Sequence, residues 1–286
     1  MVKKILLQLD SDAHPSAFDQ VAAYDGGADH IMSYGGVTPQ DVRALVYGVM
    51  FTRGAESIKN SAVFVGGSDV EAGEALLAEV TGSFFGSSRT SVMMDSNGCN
   101  TTAAAAVARI TGAVDVAGKK ALVMGATGPV GLRAAVLLAR AGAEVVVTSR
   151  SLERARGVAQ RLLERYGLRV TPGTQDDSSG IAEHINTATV ALTAGAAGVT
   201  LLREGQWTAS PSLRVLADVN AVPPLGIEGI KSGDKGKERS GKIAFGATGG
   251  IGGLKMRIHH HCITRLFEAN DLTLNVEEIY AIARAL

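Results

Sequence analysis

Between Lys119 and Gly131 the chain reads Lys-Lys-Ala-Leu-Val-Met-Gly-Ala-Thr-Gly-Pro-Val-Gly: an apolar run that breaks into glycines at 125, 128 and 131, with an Ala/Leu-rich segment behind them. A strand that turns through glycines into a helix brings open N–H groups and the positive end of a helix dipole to one spot. The missing side chains let the backbone approach a partner closely. A dinucleotide pyrophosphate needs that combination. The spacing is G-x-x-G-x-x-G rather than the strict G-x-G-x-x-G, so the surrounding elements must support the reading. They do, because a second apolar run, Glu144–Ser149, follows one helix later and ends in Arg150.

Arg150 points to the nucleotide. It lies about 20 residues beyond Gly131, where an NAD site places an acidic residue on the ribose 2′-hydroxyl and an NADP site places an arginine on the 2′-phosphate. Gly125, Thr127, Gly128, Pro129, Val130 and Gly131 are therefore expected around the pyrophosphate, and Ser149, Arg150 and Arg154 around the 2′-phosphate. The strand expected at Thr189–Thr193 ends in Thr193-Ala194-Gly195, which joins the same set. The expected cofactor is NADP, with NAD tolerated because Ser149 and Arg150 do not forbid a free hydroxyl.

At 286 residues the chain is long enough for one large or two modest α/β domains. Lys plus Arg and Asp plus Glu both number 28, so no global basic field favours nucleic acid or an anionic membrane. Cys99 and Cys262 are the only cysteines and form no C-x-x-C, which fits a reducing cytoplasm. The apolar start, Val2–Leu9, is interrupted by Gln8 and stopped by Asp10, so it reads as a first strand rather than a signal peptide. The uncharged stretch Thr187–Leu202 carries Gly195 and Gly198 and is shorter than the roughly 20 residues that span a bilayer.

Strands are expected at Lys4–Leu9, His30–Tyr34, Ala62–Gly66 and Arg89–Met94, and helices at Ala17–Tyr24, Thr38–Thr52, Val70–Phe84 and Thr101–Gly112. This alternation predicts a mostly parallel sheet covered on both faces. Val114–Lys119 reads as a domain boundary. Further strands are expected at Arg214–Asp218 and Lys242–Phe245, and a polar loop at Lys231–Lys242. The last helix, Asn275–Leu286, is expected to return to the first domain, giving a first domain of 1–115 plus about 272–286 and a second of 116–271.

Several motifs mislead. Gly236–Ile243 imitates a nucleoside-triphosphate loop, but Ile243 replaces the Ser/Thr and a strand follows instead of a helix. His259-His260-His261-Cys262 looks like a metal cluster, yet adjacent helical side chains diverge by about 100° and cannot converge on one ion. No metal is expected. Cys99 reads as a packed residue rather than a nucleophile. Three other stretches stay open. Gly246–Lys255 is glycine-rich through either ligand approach, a hinge or a tight connection, and Lys255 stands against the preferred charge at a helix start. Asn220, in Asp218–Gly226, could meet a nicotinamide or only shape its loop. Asp95–Thr102 could cap a helix or recognise a polar heterocycle.

Taken together, Tyr24–His30, Ser96-Asn97-Gly98 with Asn100-Thr101-Thr102, Gly128–Gly131, Asn220-Ala221 with Pro223–Ile227, and Gly252–Lys255 resemble the bacterial NADP-dependent methylene-tetrahydromethanopterin/methylene-tetrahydrofolate dehydrogenases. The resemblance spans nearly the whole chain, with departures at Ala126, Thr127, Thr248-Gly249 and His259–His261. It implies two α/β domains with a deep cleft, the second a Rossmann-type doubly wound parallel sheet. It also implies a homo-oligomer, with a trimer among the options, working on a tetrahydromethanopterin or tetrahydrofolate one-carbon carrier in the cytoplasm, with no nucleic-acid or membrane partner. The implied reaction moves a hydride from a methylene carbon held between two nitrogens and leaves a methenyl cation. No hydroxyl proton has to be removed, and indeed no tyrosine is followed by a lysine four residues on. The implied roles are Lys255 as the catalytic residue and Phe18, Tyr24, Ser96, Asn97, Asn100 and Thr102 as carrier contacts. The competing readings are an NADP-dependent dehydrogenase of an alcohol or keto acid, and a non-catalytic NADP sensor.

Overall fold

The computed structural model describes residues 2–175 and 178–286. From the N-terminus, strand and helix alternate: β1 (Ile5–Asp10), α1 (Ala17–Asp25), β2 (His30–Tyr34), α2 (Pro39–Met50), β3 (Ser61–Gly66), α3 (Val70–Gly82), β4 (Ser91–Met94) and α4 (Cys99–Ala113). The pattern continues through β5 (Lys120–Met124), α5 (Pro129–Arg140), β6 (Glu144–Ser149), α6 (Leu152–Tyr166), β7 (Thr171–Thr174), α7 (Ser178–Thr187), β8 (Val190–Thr193), α8 (Glu204–Thr208) and β9 (Val215–Asp218). A hairpin of β10 (Lys235–Arg239) and β11 (Lys242–Phe245) leads into a π-helical turn at Ala247–Gly252, then α9 (Gly253–Leu266), β12 (Thr273–Leu274) and α10 (Val276–Arg284).

Two compact units result: the residues up to Thr101 with Met256–Leu286, and Thr102–Lys255. Both dividing points fall inside helices, α4 and α9. The loops at Val114–Lys119 and near 272, where composition suggests a boundary, lie inside units instead. A change in composition marks a loop, and a helix whose two ends belong to different units leaves no such mark.

The first unit holds a five-stranded sheet in the order β12-β4-β3-β1-β2, with every neighbouring pair parallel. β3 is buried at every residue, as expected for a strand covered on both faces. Helix α2 starts at Thr38, whose N–H and hydroxyl both donate to the Asp41 carboxylate at 2.9 and 2.6 Å, with Pro39 behind it. Those hydrogen bonds hold the Asp41 carboxyl below its ordinary range. Val42, Val46 and Val49 of α2 and Leu76 and Val80 of α3 pack with Leu7, Leu9, Val63 and Val65 in one core. At the other end, β12 adds to β4, and Asn275 caps α10 by accepting from Val276 N–H.

The second unit holds seven strands in the order β10-β11-β9-β8-β5-β6-β7. Taken from β7 to β11 this is the 3-2-1-4-5-6 order of a doubly wound nucleotide-binding sheet, and its direction of winding reverses between β5 and β8. All pairs are parallel except β10 with β11. β7 carries Pro172 and Gly173, which a central strand would not tolerate but an edge strand does. β10 corrects the loop expected at Lys231–Lys242. Its Lys-Gly-Lys-Glu-Arg sequence has no apolar period because it is an exposed edge, and edge strands are kept from further pairing by such charges. Ser240 and Gly241, at φ 47° and 74°, form the two-residue turn of the hairpin. Leu122, Met124, Leu202, Trp207 and Leu216 belong to a core separate from that of the first unit.

Candidate functional site

In the second unit the parallel register aligns Met124 with Thr148 of β6 and with Thr193 of β8, and Thr193 with Asp218 of β9. The carboxyl ends of these strands therefore stop at one level, and the loops expected to meet the nucleotide lie side by side there, at the switch point where doubly wound sheets bind ligands. Ala194 N–H donates to Met124 carbonyl at 2.8 Å, and Gly125 N–H to Thr148 carbonyl at 3.2 Å. Arg150 and Arg154 are exposed just past β6, and Ser151 caps α6 by accepting from Arg154 N–H. Ser149 is buried, Thr127 is exposed, and Pro129 and Val130 are half-buried in the first turn of α5.

The glycines of the first turn differ in cause. Gly125 has φ +78°, and a Cβ there would sit 2.7 Å from Gly195 nitrogen; at Gly131 it would sit 2.7 Å from Gly125 oxygen. Both must be glycine for the chain's own packing. At Gly128 the nearest atoms would be 3.7 Å away and φ is −79°. No packing contact inside the protein demands glycine at Gly128, the N-cap of α5, so the helix end there is open to close approach from outside. The turn thus fits a dinucleotide pyrophosphate.

Sequence alone does not mark out Asp218, which organises the neighbouring loops. Its carboxylate is almost fully buried and accepts from Thr193 hydroxyl at 2.8 Å, Asn220 N–H at 2.9 Å and Ile227 N–H at 3.2 Å. Burial pushes the carboxyl above its ordinary range, against the pull of these bonds. A Cβ at Gly226 would lie 2.6 Å from Asp218 Oδ1, so that glycine too is structural. Thr193 therefore spends its hydroxyl internally. Asn220 closes its own loop, with Oδ1 accepting from Val222 N–H and Nδ2 donating to Pro224 carbonyl.

The Asp95–Thr102 segment leaves the carboxyl end of β4, beside the end of β3. Ser96 is buried and donates to Gly66 carbonyl, and Asn100 is buried and donates to Met94 carbonyl at 2.6 Å and Asn275 Oδ1 at 2.9 Å. Both side chains shape the loop from within. Asn97 is different: it is exposed, with φ 54°, a left-handed conformation that non-glycine residues adopt at a cost and that clusters at functional sites. Thr102 is half-buried in the first turn of α4. Phe18 and Tyr24 project from α1 at 53% and 50% exposure, with Val21 between them on one apolar stripe. Asp10, buried at the end of β1, anchors the approach to that helix by accepting from Asp12 and Ser16 N–H.

The second glycine-rich stretch has an internal explanation. A Cβ at Gly246 would lie 2.1 Å from Lys231 oxygen, at Gly249 2.2 Å from Gly233 oxygen, and at Gly250 2.6 Å from Asp234 oxygen. The glycines let the π-helical turn lie on the backbone before β10. Arg109 of α4 donates to Gly250 carbonyl at 2.8 Å and so braces the turn from which α9 starts. Lys255 is half-buried in the first turn of α9. Further along, His259 is fully buried, His260 lies 4.0 Å from Asp25, and His261 contacts Arg257 carbonyl, so the histidines diverge as adjacent helical positions must. Burial, reinforced by the Asp95 charge, pushes the Cys262 thiol well up, which keeps it protonated.

The strand order and the glycine turn at the switch point define a Rossmann-type dinucleotide-binding protein, and comparison with known proteins narrows this. Residues 17–97 match the family described as methylene-tetrahydromethanopterin dehydrogenase, N-terminal. Across the full length of both chains the protein is 49% identical to Bifunctional protein MdtA of Methylorubrum extorquens. It is 31% identical, over 99% of this chain and 98% of the relative, to the NAD(P)-dependent methylenetetrahydromethanopterin dehydrogenase of the same organism. The chain belongs to the methylene-tetrahydromethanopterin dehydrogenase family. The fold alone is shared with shikimate 5-dehydrogenase from Listeria monocytogenes, solved with shikimate and NAD, at 13% identity and a TM-score of 0.52 over 98% of this chain and 96% of that one. Among the described residues no helix is long and apolar enough to cross a membrane.

Proposed function

We propose that this chain is an NADP-dependent dehydrogenase that transfers a hydride between methylene-tetrahydromethanopterin and NADP, giving the methenyl carrier, in cytoplasmic one-carbon metabolism. Methylene-tetrahydrofolate is the second carrier in this reading, and the working form is a homo-oligomer. One observation carries it: a switch-point glycine turn whose Gly128 no packing contact requires to be glycine, in a chain of this family.

NADP, when bound, supplies the hydride acceptor. Gly125, Thr127, Gly128, Pro129, Val130 and Gly131 receive its pyrophosphate, with Thr193, Ala194 and Gly195 lining the adjoining turn. Ser149, Arg150 and Arg154 take the 2′-phosphate, where a guanidinium makes charge-assisted bonds. Asn220 shapes the loop on the nicotinamide side. Asn97 and Thr102 contact the carrier, Ser96 and Asn100 hold their loop in shape, and Phe18 and Tyr24 offer apolar walls. Lys255 is the cation on the carrier. Because the methenyl product is stabilised by its own two nitrogens, the protein has to orient the reactants and exclude water rather than move a proton.

The test mixes purified protein with NADP and methylene-tetrahydromethanopterin, then separately with methylene-tetrahydrofolate, and follows reduced cofactor by absorbance. Turnover with either carrier, together with loss of turnover or of carrier affinity in Lys255→Ala, is expected. NADP binding without turnover on either carrier would leave only the sensor reading, and turnover on simple alcohols instead would replace the substrate.

A further inference from the structure

One buried contact joins the carrier loop to helix α9. Asp95, fully buried after β4, accepts at Oδ1 from the N–H groups of Asn100 and Thr101 at 2.9 and 3.0 Å, and at Oδ2 from the Thr101 hydroxyl at 2.6 Å. This carboxylate therefore fixes both the first turn of α4 and the loop that holds Asn97 in its left-handed conformation. The same Oδ2 lies 3.7 Å from Nδ1 of His259, which is itself fully buried on α9. The imidazole stacks on Phe64 of β3, with centroids 5.5 Å apart and planes 26° off parallel. Lys255 stands four residues before His259, so the two share one face of the helix.

A buried imidazole against a buried carboxylate is a costly way to fill space, and an apolar side chain would pack there without desolvating polar groups. At 3.7 Å the contact is electrostatic rather than a hydrogen bond, and what a polar pair adds over an apolar one is direction, because the imidazole faces the Asp95 turn only at one rotation of α9 about its axis. We propose that Asp95 and His259 form a positioning pair that fixes the carrier loop and, through α9, the direction in which Lys255 projects. His259 acts through Lys255 and does not itself touch the reacting atoms. The inference rests on the reading of Lys255 and the Ser96–Thr102 loop as carrier-binding residues.

The test compares full-length His259→Leu, which packs but cannot engage the carboxylate, with His259→Asn, which keeps an N–H donor near Asp95. Circular dichroism melting confirms folding, and steady-state KM is measured for methylene-tetrahydromethanopterin and for NADP. Misplacement of a positioning group predicts a carrier KM raised about tenfold or more in His259→Leu, with the NADP KM within about twofold, and partial recovery in His259→Asn. In a Lys255→Ala background the same substitution should add less than about a further twofold, because the two residues act as one unit. A folded His259→Leu with unchanged carrier KM, equal rises in both KM values, or full additivity with Lys255→Ala overturns the pair. If His259→Leu does not fold, Asp95→Asn takes its place in the same comparison, and a normal carrier KM there is equally fatal. Wild-type protein inactive on both carriers removes the proposed function as well; active wild type with unresponsive variants removes only this inference.

Discussion

Gly125, Gly128 and Gly131 look alike in the sequence and are held for different reasons in the structure. Gly131→Ala would drive a Cβ to 2.7 Å from Gly125 oxygen, so it should cost about 1–3 kcal/mol by overpacking, visible in the thermal midpoint. Gly128→Ala meets only ordinary contacts and should cost about 1 kcal/mol or less as a poorer N-cap, yet lose at least about tenfold in NADP affinity. Unchanged NADP binding by calorimetry in Gly128→Ala would remove the pyrophosphate from that turn. Arg150 supports a second contrast. Charge-assisted bonds to a phosphate contribute about 1.5–3 kcal/mol, so Arg150→Ala should weaken NADP by roughly 10- to 100-fold while NAD changes little. Equal losses for both nucleotides would place Arg150 away from the 2′-phosphate.

At the scale of elements, the apolar strands and capped helices were legible, because β1, β3, β5, β6, β8 and β9 are continuous Val/Leu/Ala-rich runs and α2 opens on Thr38-Pro39-Gln40-Asp41. β10 was not, because an edge strand buries neither face and leaves no period. What holds its hairpin is Asp234, which accepts from both Nε and Nη2 of Arg239 at 2.9 and 2.7 Å and from Lys231 N–H at 2.9 Å. Partial burial raises the Asp234 carboxyl, but the Arg239 and Lys231 bonds outweigh it and the net shift is downward. A carboxyl whose folded pKa is depressed contributes stability that is complete above its unfolded value, about 3.9, and is lost as pH falls through the folded value. Asp234→Asn should therefore lower the melting temperature at neutral pH and flatten its decline below about pH 4. A variant that melts in parallel with wild type at every pH would show that the pair contributes nothing.

For the whole molecule, the C-terminal segment completes the first unit's sheet rather than extending the second's. β12 pairs with β4, and Asn275 meets Asn100 in the first turn of α4. Removing residues 271–286 would strip β4 of its outer neighbour and expose partners of Val276, Ile279 and Tyr280. We expect such a chain to lose the first unit's protection in hydrogen exchange and its carrier turnover. The β5–α5–β6 region should stay protected, since its core is a separate cluster. Uniform loss of protection would mean that the two cores unfold as one.

The amino-acid sequence alone determined the alternation of strands and helices, the glycine turn after β5, and the arginine after β6, because those features are written in neighbouring residues whose periods and spacings are local. Tertiary structure alone decided which glycine faces outward, that Asp218 consumes the hydroxyl of Thr193, and that Asp95 and His259 meet. Each of these depends on atoms brought together from distant parts of the chain, such as Gly125 against Gly195 and β4 against α9. His259 illustrates the difference. In sequence it is one of three adjacent histidines with no distinguishing neighbour. On the folded helix it alone points into the interior, where Phe64 and Asp95 surround it.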